Sequence, residues 1–304
     1  MGWKDSHPHN LPMPSRRRTI YACIAATVAA SSVLAATVGA AVVLGGLYNV
    51  AAGEQHWQPV YSMLERAMQQ SVKLRARAVE APATFDNTML LRGAGCYQAK
   101  CVQCHGAPGV APGDAGKSMQ PLPGPLVNAH ERWERRELYW LTRNGIRMSG
   151  MPAWEHHLDE SELWSLVAFI EHMPTLDVPG YERIVAQADE AQTRGVLLAC
   201  GAQRLAAPPP PVGDPEVGRQ ALHQHACNAC HTIPGVTGSQ THVGPGMQGF
   251  GLRTNIAGVL PHTAENLERW LREPHAVKPG TAMPAMGVSA QDARHIAAYL
   301  QGLR

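Results

Sequence analysis

Two pentapeptides of one pattern, Cys101-Val102-Gln103-Cys104-His105 and Cys227-Asn228-Ala229-Cys230-His231, constrain this chain more than any other feature in it. A Cys-x-x-Cys-His run sets two thiols and an imidazole on about one helical turn. That suits two thioether bonds to a haem and one axial nitrogen beneath its iron. Two other chemistries use paired cysteines. A structural zinc needs four protein ligands and hence a second close pair, which neither region supplies. A redox dithiol sits in a βαβ setting without the following His. The motifs therefore imply two covalently bound haem c groups, attached through Cys101 and Cys104 and through Cys227 and Cys230, with His105 and His231 as iron ligands.

The surroundings of the motifs repeat as well. Residues 85–175 and 214–304 each carry the motif near their start, Met-Pro-Ala in their last third and a closing amphipathic helix. That helix follows Asp159 with Leu163, Trp164, Leu166, Val167 and Ile170 in the first copy. In the second it follows Ser289 with Ala293, Ile296, Ala297 and Leu300. The expected fold is all-α, two small haem domains in tandem. Residues 176–213, ending in Pro208 to Pro211, read as an extended linker. Asp214 as N-cap and Pro215 at the first helical position then open the second domain. Each domain offers two methionines as a sixth iron ligand, Met148 or Met151 and Met283 or Met286. Only Met151 and Met283 share Met-Pro-Ala, and a following Pro turns its predecessor away from helical conformation. The choice falls on Met151 and Met283.

Residues 19–53 contain no charged side chain, and a bilayer needs about 20 apolar residues. Arg16, Arg17 and Arg18 stand before this stretch, so the positive-inside rule keeps residues 1–18 cytoplasmic and sends the haem domains into the periplasm. The expectation is a single-pass inner-membrane anchor. A cleaved signal peptide would have a shorter apolar region, about 7 to 15 residues. In the connector 54–84, Val60, Met63, Leu64, Ala67, Met68 and Val72 recur at helical spacing before Lys73, Arg75 and Arg77. Two placements fit such a helix: on the membrane surface or a partner subunit, and on the first haem domain.

Three of the seven cysteines lie outside the motifs. Cys23 falls in the apolar stretch and behaves as a small hydrophobe. Cys96 and Cys200 permit a disulfide in an oxidising compartment. Equally, Cys96 reads as a buried apolar residue, because Leu222 stands at the same distance before the second motif. His7, His9, His156 and His157 sit in polar stretches and read as solvated. A net charge of +2 gives no footprint for nucleic acid.

Residues 85–175 resemble a class I cytochrome c domain through CVQCHG, PLPGPL, NGIRMSGMPAW and DESELWSLVAFI. Residues 214–304 are similar to the cytochrome c domain fused to subunit II of caa3-type terminal oxidases. There the likeness is carried by GRQALHQHACNACHTIPG, HVGPGM, ERWLREPHAVKPGTAMPAMG and ARHIAAYL. The resemblance implies three or four helices around each haem, with His below the iron and Met above. It implies that the Pro245 carbonyl receives the His231 imidazole, that Pro125 does the same for His105, and that Arg253, Trp270 and Trp140 lie near haem propionates. The chain departs from subunit II in having no copper-binding cluster and no cupredoxin-like strands, so it is not that subunit.

Two His/Met-ligated haems in one anchored chain imply electron transfer rather than catalysis, because a Met ligand raises the potential and fills the sixth position. By analogy the donor is a dehydrogenase or quinol-oxidising complex and the acceptor a terminal oxidase. A dihaem peroxidase would need an open sixth position, against which Met-Pro-Ala in both domains argues. A structural subunit that anchors a larger complex is the other alternative.

Overall fold

The computed structural model describes residues 16–202, 212–238 and 243–304. The chain is all-α as expected. The described residues add a two-stranded antiparallel pair, β1 (Asn255–Ile256) and β2 (Leu260–Pro261), with Asn255 opposite Pro261 and Ile256 opposite Leu260. Two compact units divide between Ala202 and Gln203.

Helix α1 (Arg16–Leu44) has 29 residues, a length of about 43 Å at 1.5 Å per residue. That exceeds the roughly 30 Å hydrocarbon core of a bilayer, and none of its apolar window is buried in the protein. The apolar sequence ran on to Gly53, but the helix stops at Leu44. Gly46 adopts a left-handed φ of 64°, and the Leu47 N–H returns to the Val42 carbonyl at 3.2 Å, which closes the last turn.

Helix α2 (Gln58–Arg75) runs into one 3-10 turn at Ala76–Ala78. Val72 and Ala76 are fully buried, so one face packs on the first unit. Arg135 fastens the irregular segment that follows. Its guanidinium pairs with Glu171 at 2.8 Å, donates to the Pro82 carbonyl at 2.6 Å and lies 4.2 Å over the Phe85 ring.

In the first unit come α3 (Asn87–Lys100), α4 (Val102–His105), α5 (Asp114–Lys117), α6 (Ala129–Arg132), α7 (Arg135–Asn144), α8 (Glu160–His172) and α9 (Val178–Thr193). Caps written in the sequence start them. Asp86 accepts from the Met89 N–H at 2.8 Å, and Asp159 and Glu162 form a reciprocal capping box on α8. Tyr97, Leu166, Phe169 and Met173 fill the core. Helices α3 and α8 cross at Gly93, where a Cβ would stand 2.0 Å from the Ser165 carbonyl oxygen.

The stretch read from sequence as the start of a linker is mostly helical and packed. Asp177 caps α9 through the Gly180 N–H at 2.7 Å. Tyr181 and Ala188 are buried in the first core, and the Tyr181 hydroxyl donates to Gln98 at 2.6 Å. Amphipathic spacing in 178–193 carried this helix, but the downstream prolines dominated the reading. Beyond α9, Cys200 is bonded to Cys96, and the Gly201 N–H meets the Glu162 carboxylate at 2.7 Å. Pro208 to Pro211, like His7 and His9, lie outside the described residues.

The second unit is built from α10 (Pro215–Gln224), α11 (Ala264–Arg272), α12 (Pro274–Val277) and α13 (Ala290–Gln301). Asp214 caps α10 through the Glu216 N–H at 2.8 Å, and Ser289 caps α13 through the Asp292 N–H at 3.0 Å. Leu222, Ile256, Leu267, Ile296 and Leu300 form its core. Helices α10 and α13 cross at Gly218, where a Cβ would stand 2.0 Å from the His295 carbonyl oxygen. The two units thus share one construction, the helix before the motif and a later helix, α8 or α13, in close backbone approach at a glycine.

Candidate functional site

In each unit the Cys-x-x-Cys-His turn follows directly from the first helix of the crossed pair. The Cys101 N–H completes α3 by bonding to the Tyr97 carbonyl at 2.9 Å, and the His105 N–H bonds to Cys101 at 3.0 Å. Gly106, with φ of 66°, ends α4, and the buried Tyr97 hydroxyl donates to its carbonyl at 2.7 Å. The second motif is entered through Ala226 in a left-handed conformation, after which the His231 N–H bonds to Cys227 at 3.0 Å.

The two imidazoles are held alike. His105 Nδ1 lies 2.7 Å from the Gly124 carbonyl, and His231 Nδ1 lies 2.9 Å from the Pro245 carbonyl. A carbonyl only accepts, so each Nδ1 carries the proton and each Nε2 keeps its lone pair, the tautomer a metal ligand requires. For His105 the expected partner was Pro125. The acceptor is Gly124, one residue earlier, whose carbonyl, between Pro123 and Pro125, faces the ring. Burial, which favours the neutral ring, pushes the His105 pKa below its usual value and outweighs the Gly124 bond, which acts to raise it. Gly244 lies flat on His231, since a Cβ there would stand 2.4 Å from Cε1 and 2.6 Å from Nδ1.

The cysteines sit in apolar surroundings. Burial, with the neighbouring Cys104 second, pushes the Cys101 thiol up to about 12, and burial pushes Cys227 up to about 11. Neither motif is taken up in a disulfide. Such thiols, with an Nε2 lone pair on the same turn, fit a c-type haem.

The segment after the first motif reaches toward the Met-Pro-Ala loop. Gly113 N–H bonds to the Gln103 carbonyl at 2.9 Å, Gly116 packs on the Cys104 backbone, and the Met119 sulfur packs on Gly150. Met151 and Met283 are half-buried, whereas Met148 is 92% exposed with φ of 61° and Met286 is 39% exposed. Both loops carry a feature that was not picked out in the sequence. The Met151 N–H bonds to the Ser149 hydroxyl at 3.2 Å, and the Met283 N–H bonds to the Thr281 hydroxyl at 3.3 Å. The signal was a hydroxyl residue two positions before each Met-Pro-Ala.

Arg253 lies 5.0 Å over the Phe250 ring and donates to the Gly246 carbonyl. Trp270, on α11, is half-buried against the second core. Trp140, on α7, is also half-buried, and its carbonyl accepts from Asn144 at 2.9 Å. His156 departs from the solvated reading: its side chain is 15% exposed and Nε2 lies 3.2 Å from Glu155.

One family matches the chain twice, over residues 88–170 and again over 216–300, together more than half of its length. With the paired motifs, this makes the protein a cytochrome c of haem-based electron transfer. The family is the one described as cytochrome c oxidase, cbb3-type, subunit III, and the chain belongs to it.

Cytochrome c oxidase subunit 2 of Alkalihalophilus pseudofirmus is 42% identical over 88 residues, 29% of this chain and 25% of that protein. The corresponding subunit of Bacillus sp. strain PS3 is 39% identical over 77 residues, 24% of this chain and 22% of its own length. The Bacillus subtilis subunit is 29% identical over 91 residues, 29% and 26% of the two chains. The chain thus spans about a quarter of the curated relatives it matches. The likeness to an oxidase subunit read from sequence is borne out.

Proposed function

We propose that this chain is a membrane-anchored dihaem electron carrier, with one haem c in each unit. The observation that carries this is the recurrence of one ligand arrangement: an imidazole on a Cys-x-x-Cys-His turn, tied through Nδ1 to a backbone carbonyl, at His105 and at His231. Cys101 and Cys104, and Cys227 and Cys230, would hold the haems covalently. His105 and Met151 would ligate the first iron, and His231 and Met283 the second. Haem bound in this way supplies a one-electron couple.

The protein's part is to keep each site rigid. Gly124 and Pro245 orient the imidazoles, Gly244 holds the His231 ring flat, and Ser149 and Thr281 fix the amides of Met151 and Met283. A ligand set that stays in place in both oxidation states lowers the rearrangement an electron must wait for. Arg253, Trp270 and Trp140 are assigned to the propionate side of the sites. Helix α1, with three arginines before its apolar run, would anchor the chain with the haem units on the periplasmic side. A dehydrogenase or quinol-oxidising complex as donor and a terminal oxidase as acceptor suit the oxidase relatives.

Alkaline pyridine spectroscopy of the purified chain is expected to count two c-type haems that resist acid extraction. Rapid reduction of both by a candidate donor would follow. A count of one, or haem that extracts, would overturn the assignment. Haems that no donor reduces would favour the anchoring role.

A further inference from the structure

Helix α2 is apolar on two opposite faces, and the first unit accounts for one of them. At 100° per residue, Met63, Ala67 and Leu74 lie about 180°, 140° and 160° around the helix from Val72, the buried residue of the packed face. Met63 is 63% exposed and Leu74 58%, and Ala67 is exposed between them. Trp57, just before the helix, is 83% exposed.

The charges are sorted the same way. The one acidic residue of α2, Glu65, turns inward and pairs with Arg132 at 2.6 Å. Arg66 and Lys73 flank the outward stripe, Arg77 follows in the next turn, and all three are exposed. The outward surface is therefore an apolar stripe bordered on one side by Arg66 and Lys73, about 120° and 100° from Val72, with no acidic residue beside it.

Its position limits what can cover it. Thirteen residues separate Leu44, the end of α1, from Gln58, the start of α2. At about 3.5 Å per residue, that tether holds α2 within about 45 Å of the end of the span. Tyr48 and Trp57 stand exposed along it, the residue types that favour the membrane–water boundary. A partner helix would want an unbroken seam, but Gln70 interrupts the stripe between Ala67 and Leu74. An apolar stripe with flanking cations beside a membrane span matches the headgroup layer of an anionic bilayer.

We propose that α2 is an interfacial helix: Met63, Ala67 and Leu74 settle into the lipid headgroup region beside α1, while Arg66, Lys73 and Arg77 engage anionic lipid phosphates. The first haem unit then rests on the membrane through α2 instead of hanging from the span on a flexible tether. This rests on the reading of α1 as a membrane span, and the test separates the two claims.

The test uses the full-length holoprotein, with a protease recognition sequence inserted after Gly53, reconstituted into vesicles of phosphatidylcholine with or without phosphatidylglycerol. After cleavage of the outward-facing molecules, the vesicles are floated and the haem fragment is followed by its Soret band. Expected is a fragment that stays with anionic vesicles and leaves in high salt, partitioning about tenfold or more weakly to neutral ones. Met63→Asp with Leu74→Asp, and separately Arg66→Gln with Lys73→Gln, should release it from anionic vesicles while the Soret spectrum stays unchanged. Equal release from both lipid compositions, or retention that ignores all four substitutions, would overturn the proposal. So would a fragment held in native membranes but released from pure lipid, which would mark a protein partner. Uncleaved protein that fails to float would instead refute the span.

Discussion

Replacing Gly218 by Ala tests whether the crossed helices hold the second unit together. The new Cβ would stand 2.0 Å from the His295 carbonyl oxygen, 2.4 Å from its carbon and 2.9 Å from the Ile296 nitrogen. All three are backbone atoms of α13, so no rotamer change relieves the clash. Ordinary contact begins near 3.4 Å, so α10 must draw back by about 1.4 Å. That opens the packing of Ala221 and Leu222 on Ile296 and Leu300, all at most 3% exposed. Overpacking of this kind costs about 3 kcal/mol, the upper end of its usual range. Alanine's better helix propensity returns about 1 kcal/mol, leaving a net loss of about 2. For a unit of this size that lowers Tm by about 8 to 16 °C. Calorimetry of the holoprotein should show the second unit's transition displaced and the first unit's unmoved. Gly93→Ala, which meets the Ser165 carbonyl at 2.0 Å, should displace the first unit's instead. A shift below about 4 °C in Gly218→Ala would mean that the helices do not touch there.

Single replacement of Met148, Met151, Met283 and Met286 by Ala should abolish the Met-to-ferric-haem charge-transfer band of one haem only for Met151 and Met283; loss of the band in Met286→Ala alone would reassign the second site. Cys200→Ala removes a crosslink between residues 104 apart and should cost the first unit about 5 kcal/mol by the loop-entropy account, read from denaturant unfolding under oxidising and reducing conditions. Burial raises the pKa of Tyr181 to about 12 and raises that of Tyr97 further. Both contribute stability that is complete below their unfolded value near 10 and is lost as pH rises toward the folded values. Alkaline unfolding of the first unit, followed by circular dichroism and tyrosinate absorbance, should therefore begin above pH 10. Titration of both tyrosines near pH 10 with the fold intact would contradict their burial.

The two Cys-x-x-Cys-His turns were legible as local structure because each closes through a bond between residues four apart, His105 to Cys101 and His231 to Cys227. Caps at Asp159, Asp214 and Ser289 were legible for a local reason: each hydroxyl or carboxylate satisfies N–H groups two or three residues on. What escaped the reading depends on contacts distant in sequence. Nothing near Gly93 or Gly218 marks either as a crossing point, since the facing carbonyls belong to Ser165 and His295. Choosing Gly124 over Pro125 turns on which way one peptide unit faces. Helix α9 was masked because prolines nearby outweighed its periodicity, and its contacts with α3 and, through Tyr181 on Phe169, with α8 make it part of the first core. The fate of Cys96 was open for the same reason, its partner lying beyond that unrecognised helix.

The bond between Cys96 and Cys200 also bears on how the chain's thiols are sorted before haem arrives. In an oxidising compartment Cys96, Cys101 and Cys104 lie within nine residues of sequence, and a wrong pairing among them would block haem attachment. Once α3 is formed, Cys96 and Cys101 are about 7.5 Å apart along the helix axis and about 140° around it, beyond the reach of a disulfide. Helix α9 then brings Cys200 to within 5.1 Å of Cys96, measured between Cα atoms, and takes that thiol out of the competition. In the folded first unit this pairing leaves Cys101 and Cys104 as the two free thiols.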